Sequence, residues 1–119
     1  MCLQEMSTCL QYGLPLKIIN LNNGYMGMVR QWQTMFFDSN YASSKFEVLP
    51  DFKMLAECFG AKGLRATKPE EVDATLKEGL NTEGVVLMEI VADPEEMVYP
   101  MITPGGAMND MILQPVDVA

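Results

Sequence analysis

The stretch that most constrains this chain runs from Leu16 to Trp32. Leu16-Lys17-Ile18-Ile19-Asn20-Leu21 is a short, mostly apolar run. Asn22-Asn23-Gly24-Tyr25-Met26-Gly27 is a polar turn with two glycines, and from Met28 onward apolar residues recur at helical spacing. The apolar run predicts a strand buried on both faces. Strand, polar turn and helix in that order set polar groups at the carboxyl end of a strand, where ligands bind in open α/β sheets.

The rest of the chain repeats that alternation. Leu3, Met6 and Leu10 predict an amphipathic helix over residues 3–12, stopped by Gly13 and Pro15. A second helix is expected over residues 28–37, with Met28, Trp32, Met35 and Phe36 on its apolar side. Pro50-Asp51 opens a third, with a stripe of Phe52, Leu55, Ala56 and Phe59 and a C-cap at Gly60. Residues 62–66 form a brief strand candidate. Thr67 and Glu70 predict a capping box for a helix to about Leu80, with Val72, Leu76 and Leu80 inward. The β-branched, apolar residues 85–91 are the clearest strand. Residues 93–113 are rich in proline and lack periodicity, as in an extended tail or lid. The order predicts an α/β fold, three layers α/β/α around a mostly parallel sheet, in one domain over residues 1–113 with residues 114–119 unassigned.

Charge and composition remove several functional classes. The 119 residues carry a net charge of −8, against the clustered Lys and Arg that nucleic-acid binding requires. A phosphate ligand would need a metal ion or backbone N–H groups to offset its charge. Histidine is absent, which removes His-based triads and His metal ligands. Cys2, Cys9 and Cys58 give an odd count with no close pairing, and read as small core residues rather than a disulfide framework. No apolar run approaches the ~20 residues of a membrane-spanning helix. The first residues lack the basic region and apolar core of a secretory signal. A nucleotide-binding domain would need a Gly-rich phosphate loop after a strand, and no such loop stands here.

Asn22-Asn23 taken alone is ordinary turn chemistry, because asparagine tolerates positive φ and caps helices. The carboxamide oxygen is also a hard neutral donor suited to Mg²⁺, which takes one or two protein oxygens plus substrate phosphates. A tight turn frees backbone carbonyls, such as that of Tyr25, for the same ion.

The run from Leu21 to Gln33 resembles the second half of the thiamine-diphosphate motif of acetolactate synthase (acetohydroxyacid synthase) catalytic subunits. The resemblance extends through Gln4-Glu5-Met6-Ser7-Thr8-Cys9, Pro50-Asp51-Phe52, Leu55-Ala56-Glu57, Gly63-Leu64-Arg65, Val86-Leu87-Met88-Glu89-Ile90, Tyr99-Pro100-Met101 and Pro104-Gly105-Gly106-Ala107-Met108, to about Leu113. It implies the C-terminal part of a thiamine-diphosphate-binding (pyrophosphate-type) domain. Asn23 matches the family's magnesium-ligating asparagine, with the Tyr25 carbonyl as a further ligand. Asn23, Tyr25, Gly27 and Met28 fall on the cofactor-binding segment, with Met28 beside the pyrimidine ring. Trp32 matches a residue of the substrate channel, which Met28 shares.

The implied reaction is decarboxylation of pyruvate and transfer of the two-carbon unit to a second 2-ketoacid, in branched-chain amino-acid biosynthesis. The implied cofactors are thiamine diphosphate and Mg²⁺, with FAD bound outside this segment. The implied partners are a homodimer mate and a regulatory subunit, with no nucleic acid and no membrane. The implied location is cytoplasmic, or plastid for a plant source. The family's upstream Gly-Asp and its catalytic Glu have no counterpart among these residues, and Glu5 and Glu57 do not replace them. The expectation is therefore a fragment with no catalytic residue, inactive alone. The alternative is a non-catalytic α/β fragment or assembly module that keeps only the fold.

Overall fold

The computed structural model describes residues 2–114. Its elements are α1 (Glu5–Gln11), β1 (Lys17–Asn22), α2 (Gly27–Phe36), α3 (Phe52–Phe59), β2 (Lys62–Ala66), α4 (Pro69–Asn81), β3 (Val86–Val91) and a short 3₁₀ turn, Met108–Asp110. They match the expected order. The elements divide between two compact units. One comprises Met1–Asn23 and Val48–Ala92, the other Gly24–Glu47 and Asp93–Ala119. The unassigned stretch at 114–119 lies, apart from Gln114, outside the described residues. No helix among the described residues is long and apolar enough to cross a membrane.

The first unit is a three-layer α/β/α arrangement. Its sheet has the order β1-β3-β2, and both pairings are parallel. The central strand β3 is the most apolar, and its residues Val86, Leu87 and Met88 are buried. Strand alternation separates two faces. On one, Leu87 joins Met6 of α1, Ala56 of α3, Ala61 and Val85, with Ile18, Phe52 and Phe59 packed around them. On the other, Met88 faces α4 so closely that Gly79 leaves no room for a Cβ. Lys17 and Lys62, on that same face, reach α4 and its C-terminal turn. Lys17 Nζ donates to the Thr82 and Gly84 carbonyls, and Lys62 pairs with Glu78 at 3.3 Å.

Several local expectations need correction. Strand β1 is an edge strand, and Ile19 and Leu21 on its α4-side face are largely exposed, so it is not buried on both faces. Helix α4 is capped one residue later than the sequence suggests. Lys68 is the N-cap residue and Glu71, not Glu70, reaches back to the backbone N–H groups of Thr67 and Lys68. Leu80 points outward, while Gly79 is the buried residue of the last turn. Cys2 and Cys58 are exposed, and only Cys9 is half-buried.

The helix starts of α3 and α4 are acid-sensitive. Asp51 caps α3 by accepting from the Met54 N–H at 2.9 Å, and that bond, with Arg65 behind it, holds its carboxyl below the ordinary 3.8. Backbone N–H and hydroxyl donation from Thr67 holds Glu71 below 4.5. Both folded values are depressed, so both contributions are intact above the ordinary values and are lost as pH falls through the folded ones. Thermal unfolding is expected to keep its midpoint down to about pH 5 and to drop below it. Asp51→Asn with Glu71→Gln should lower the neutral-pH midpoint and flatten the acid limb. An acid limb unchanged in that double variant would sink the assignment.

Candidate functional site

At the carboxyl end of the sheet, a polar chain crosses all three strands. Asn20, Glu89 and Arg65 stand side by side in the strand register. The carboxylate of Glu89 is buried, and both of its oxygens are bound. Asn22 Nδ2 donates to one at 2.7 Å, and Arg65 Nε donates to the other at 2.5 Å. Arg65 continues to Asp51, with Nη2 at 2.9 Å from Oδ1 and Nη1 at 3.2 Å from Oδ2. The Glu89 bond, and then Asp51, hold the Arg65 guanidinium above its ordinary pKa. Asn22 is thus oriented from within the first unit, immediately before Asn23. Sequence reading passed over this network. Its signal was a glutamate inside an otherwise apolar strand, Val86-Leu87-Met88-Glu89-Ile90-Val91.

Asn23 is half-buried and ends the first unit. In the second unit the turn begins at Gly24, whose φ of 71° lies where a side chain would be strained. Tyr25 pairs with Lys45 in an antiparallel bridge, flanked by Phe46 N–H to the Gly24 carbonyl at 3.0 Å and Met26 N–H to the Ser44 carbonyl at 2.8 Å. Gly27 is the first residue of α2.

Helix α2 turns a different face to its surroundings than its apolar stripe predicts. The buried residues are Arg30 and Gln31, whereas Met28, Trp32 and Phe36 are exposed. Gln31 accepts from the Val98 N–H at 2.8 Å and donates to the Val98 carbonyl at 3.0 Å and to Met101 Sδ at 3.1 Å, tying the tail to the helix. The outward stripe lines a cleft of about 610 Å³ formed by Met28, Val29, Trp32, Gln33, Phe37 and residues 40 and 42. Met28 and Trp32, one helical turn apart, share that cleft, and the Trp32 ring meets Phe36 edge to face at 5.8 Å. Such a wall is mostly apolar with few polar groups, the usual make-up of an organic-ligand site. Tertiary contacts decided which face was buried, and helical period alone carried no sign of it.

Each unit, taken by itself, carries groups of the kind that magnesium or a phosphate takes. Asn23 offers a neutral hard oxygen. The first turn of α2 has no side-chain cap and no acidic residue, which leaves its N–H end compatible with an anion. Among the described residues, no three Asp, Glu or Cys side chains gather as a metal cage. Mg²⁺ does not require one, since it keeps water and phosphate oxygens in its shell.

The chain is 43% identical over 114 residues to the acetolactate synthase large subunit of Haemophilus influenzae, covering 95% of this chain and 20% of that protein. It is 46% identical over 112 residues to the mitochondrial acetolactate synthase catalytic subunit of Saccharomyces cerevisiae, covering 94% and 16%. The chain therefore spans about a fifth of the length of these curated relatives. A solved structure, the Rhodococcus jostii RHA1 thiamine diphosphate-dependent 4-hydroxybenzoylformate decarboxylase, superposes with a TM-score of 0.67 at 25% identity, over 76% of this chain and 17% of that one. The family model described as "Thiamine pyrophosphate enzyme, C-terminal TPP binding domain" matches residues 1–90. That is well over half of the residues, and the chain belongs to this thiamine pyrophosphate enzyme family, in its C-terminal TPP-binding domain.

Proposed function

We propose that these residues form the C-terminal part of an acetolactate synthase catalytic subunit, and that Asn23 and the Tyr25 carbonyl contribute to holding Mg²⁺ and, through it, the diphosphate of thiamine diphosphate. The observation that carries the reading is the 40–46% identity to acetolactate synthase subunits along nearly the whole chain. Bound there, thiamine diphosphate would supply the chemistry that decarboxylates a 2-ketoacid and passes its two-carbon unit to a second one. The chain's own residues bind and orient. Glu89 fixes the Asn22 carboxamide and so the start of the turn. Gly27 opens the helix toward the phosphates. Met28 provides an apolar wall for the pyrimidine ring, and Trp32 sets the width of the channel for the second ketoacid. The general acid or base comes from residues outside this chain, and so does FAD. A homodimer mate, a regulatory subunit and a cytoplasmic or plastid location belong to the same proposal.

The test has two arms. The purified 119-residue chain, given pyruvate, thiamine diphosphate and Mg²⁺, is expected to form no acetolactate, and turnover would refute that. Exchanged for the matching segment of the Haemophilus influenzae subunit, these residues should support acetolactate formation. Asn23→Ala in that chimera should lower it by more than about tenfold. A correctly folded chimera without activity would favour the alternative, an assembly module that keeps only the fold.

A further inference from the structure

The cleft beside α2 has two walls, which come from adjoining stretches of chain. One is the helix itself, with Met28, Trp32 and Gln33. The other is the loop that follows it, with Phe37, Asn40 and Ala42. The helix wall carries large side chains. Ala42, on the loop wall, is the smallest residue that lines the cleft, and it is exposed there.

The loop wall follows a fixed path. It turns through Asp38, Ser39 and Ser43, whose φ values of 50°, 57° and 54° lie in the left-handed region that non-glycine residues seldom take. Contacts on both sides of Ala42 offset that cost. Before it, the Ser39 N–H donates to the Gln33 carbonyl at 3.0 Å and the Asn40 N–H to the Phe37 carbonyl at 2.8 Å. The Tyr41 hydroxyl is 3.1 Å from the Thr34 hydroxyl, and the centre of its ring lies 4.8 Å from the Arg30 guanidinium carbon. After it, the Ser44 carbonyl accepts from the Met26 N–H at 2.8 Å, and Lys45 pairs with Tyr25. Ala42 is held directly as well, because Gln33 Nε2 donates to its carbonyl at 2.9 Å. A wall tied at this many points does not retreat from a ligand. The side chain at position 42 therefore decides how much of the cleft stays open.

We propose that Ala42 is a specificity-determining residue of the cleft: its methyl group leaves the room into which the side chain of the second 2-ketoacid extends. The inference rests on the reading of the cleft as the channel for that substrate. In the reaction pyruvate loses CO₂, and its other two carbons bond to the carbonyl carbon of the second 2-ketoacid, whose carbonyl oxygen takes up a proton. The side chain of that second acid takes no part in the bond changes. Selection among acceptors therefore acts on how well the side chain fits, and an apolar wall reads fit by about tenfold or more per methylene.

The experiment uses the full-length Haemophilus influenzae subunit carrying these residues, with thiamine diphosphate, Mg²⁺, FAD and equal concentrations of pyruvate and 2-oxopentanoate. The two acetohydroxyacid products are separated by mass and their ratio is read. The ratio does not depend on how much enzyme folds, so a loss of stability cannot imitate the result. Ala42→Leu is expected to shift the ratio toward acetolactate by about tenfold, Ala42→Val by less, and Ala42→Ser not at all. Trp32→Leu, on the helix wall, is read alongside. If Trp32→Leu moves the ratio and neither Ala42→Leu nor Ala42→Val does, the role of Ala42 alone is overturned. If none of the three moves it, the cleft is not the channel and both readings fall. A wild-type chimera that makes acetolactate but none of the larger product also overturns the proposal, because the room is then not there. Should Ala42→Leu fail to fold, the ranking of Ala42→Val and Ala42→Ser against wild type decides.

Discussion

Arg65→Ala is expected to destabilise the first unit by about 3 kcal/mol, more than removing the charge it neutralises. The reason is the unequal burial of the pair. The Glu89 side chain is 4% exposed and the Arg65 side chain 32%. Without Arg65, the Glu89 carboxylate stays inside the sheet with its cationic partner gone and the Asn22 amide kept as a neutral donor. Without the Glu89 charge, Arg65 still has Asp51 and solvent. Glu89→Gln is therefore expected to cost only about 1 kcal/mol, because a neutral amide keeps hydrogen bonding possible on both sides. Replacing both partners with apolar residues, as in Arg65→Met with Glu89→Leu, should recover much of the loss, since an uncompensated buried charge costs more than the pair contributes. Hydrogen exchange at the β3 amides of Met88 and Ile90, together with urea unfolding followed by circular dichroism, reads the ranking. Arg65→Ala no worse than Glu89→Gln would show that the carboxylate is not confined as described. The site should feel the same change, because Asn22 is oriented by Glu89 and precedes Asn23 in the chain.

Gly63→Ala is expected to be as damaging, at about 3 kcal/mol, for a reason of packing alone. A Cβ at Gly63 would sit 2.3 Å from the carbonyl oxygen of Lys53 and 2.9 Å from its carbonyl carbon and Cα. Those atoms are helix backbone, so relief means moving α3 away from β2, and with it Ala56 and Phe52 from the core beneath. Gly79→Ala meets an even shorter distance, 2.1 Å, but to Met88 Sδ. A thioether side chain can rotate where a helix backbone cannot, so Gly79→Ala is expected to cost only about 1–2 kcal/mol. A shorter side chain at Met88 should relieve Gly79→Ala and leave Gly63→Ala unchanged, which a double-mutant cycle measures. Equal costs for the two glycine variants, or relief of Gly63→Ala by a change at Met88, would contradict this account of which contact is rigid.

Much of this protein was decided within short windows of sequence. The apolar run of β3, the strand–turn–helix through Asn23, the Asp51 cap and the Gly60 stop all rest on interactions between residues a few positions apart, so local chemistry is enough to specify them. The parallel sheet follows from their alternation, and the resemblance reached the family because the matching segments recur in order along the chain. Side-chain destinations were another matter. The stripe of Met28, Trp32 and Phe36 marks a helix, and its period is the same whether the stripe faces a core or a cleft. Only the rings of Tyr25 and Tyr41, and the Val98 backbone, decided that Arg30 and Gln31 would be the buried pair. The charge on Glu89 sits in an otherwise apolar strand because Arg65, 24 residues earlier, and Asn22, 67 residues earlier, meet its two oxygens. Burying a charge depends on partners distant in sequence, and their positions are a property of the folded chain alone.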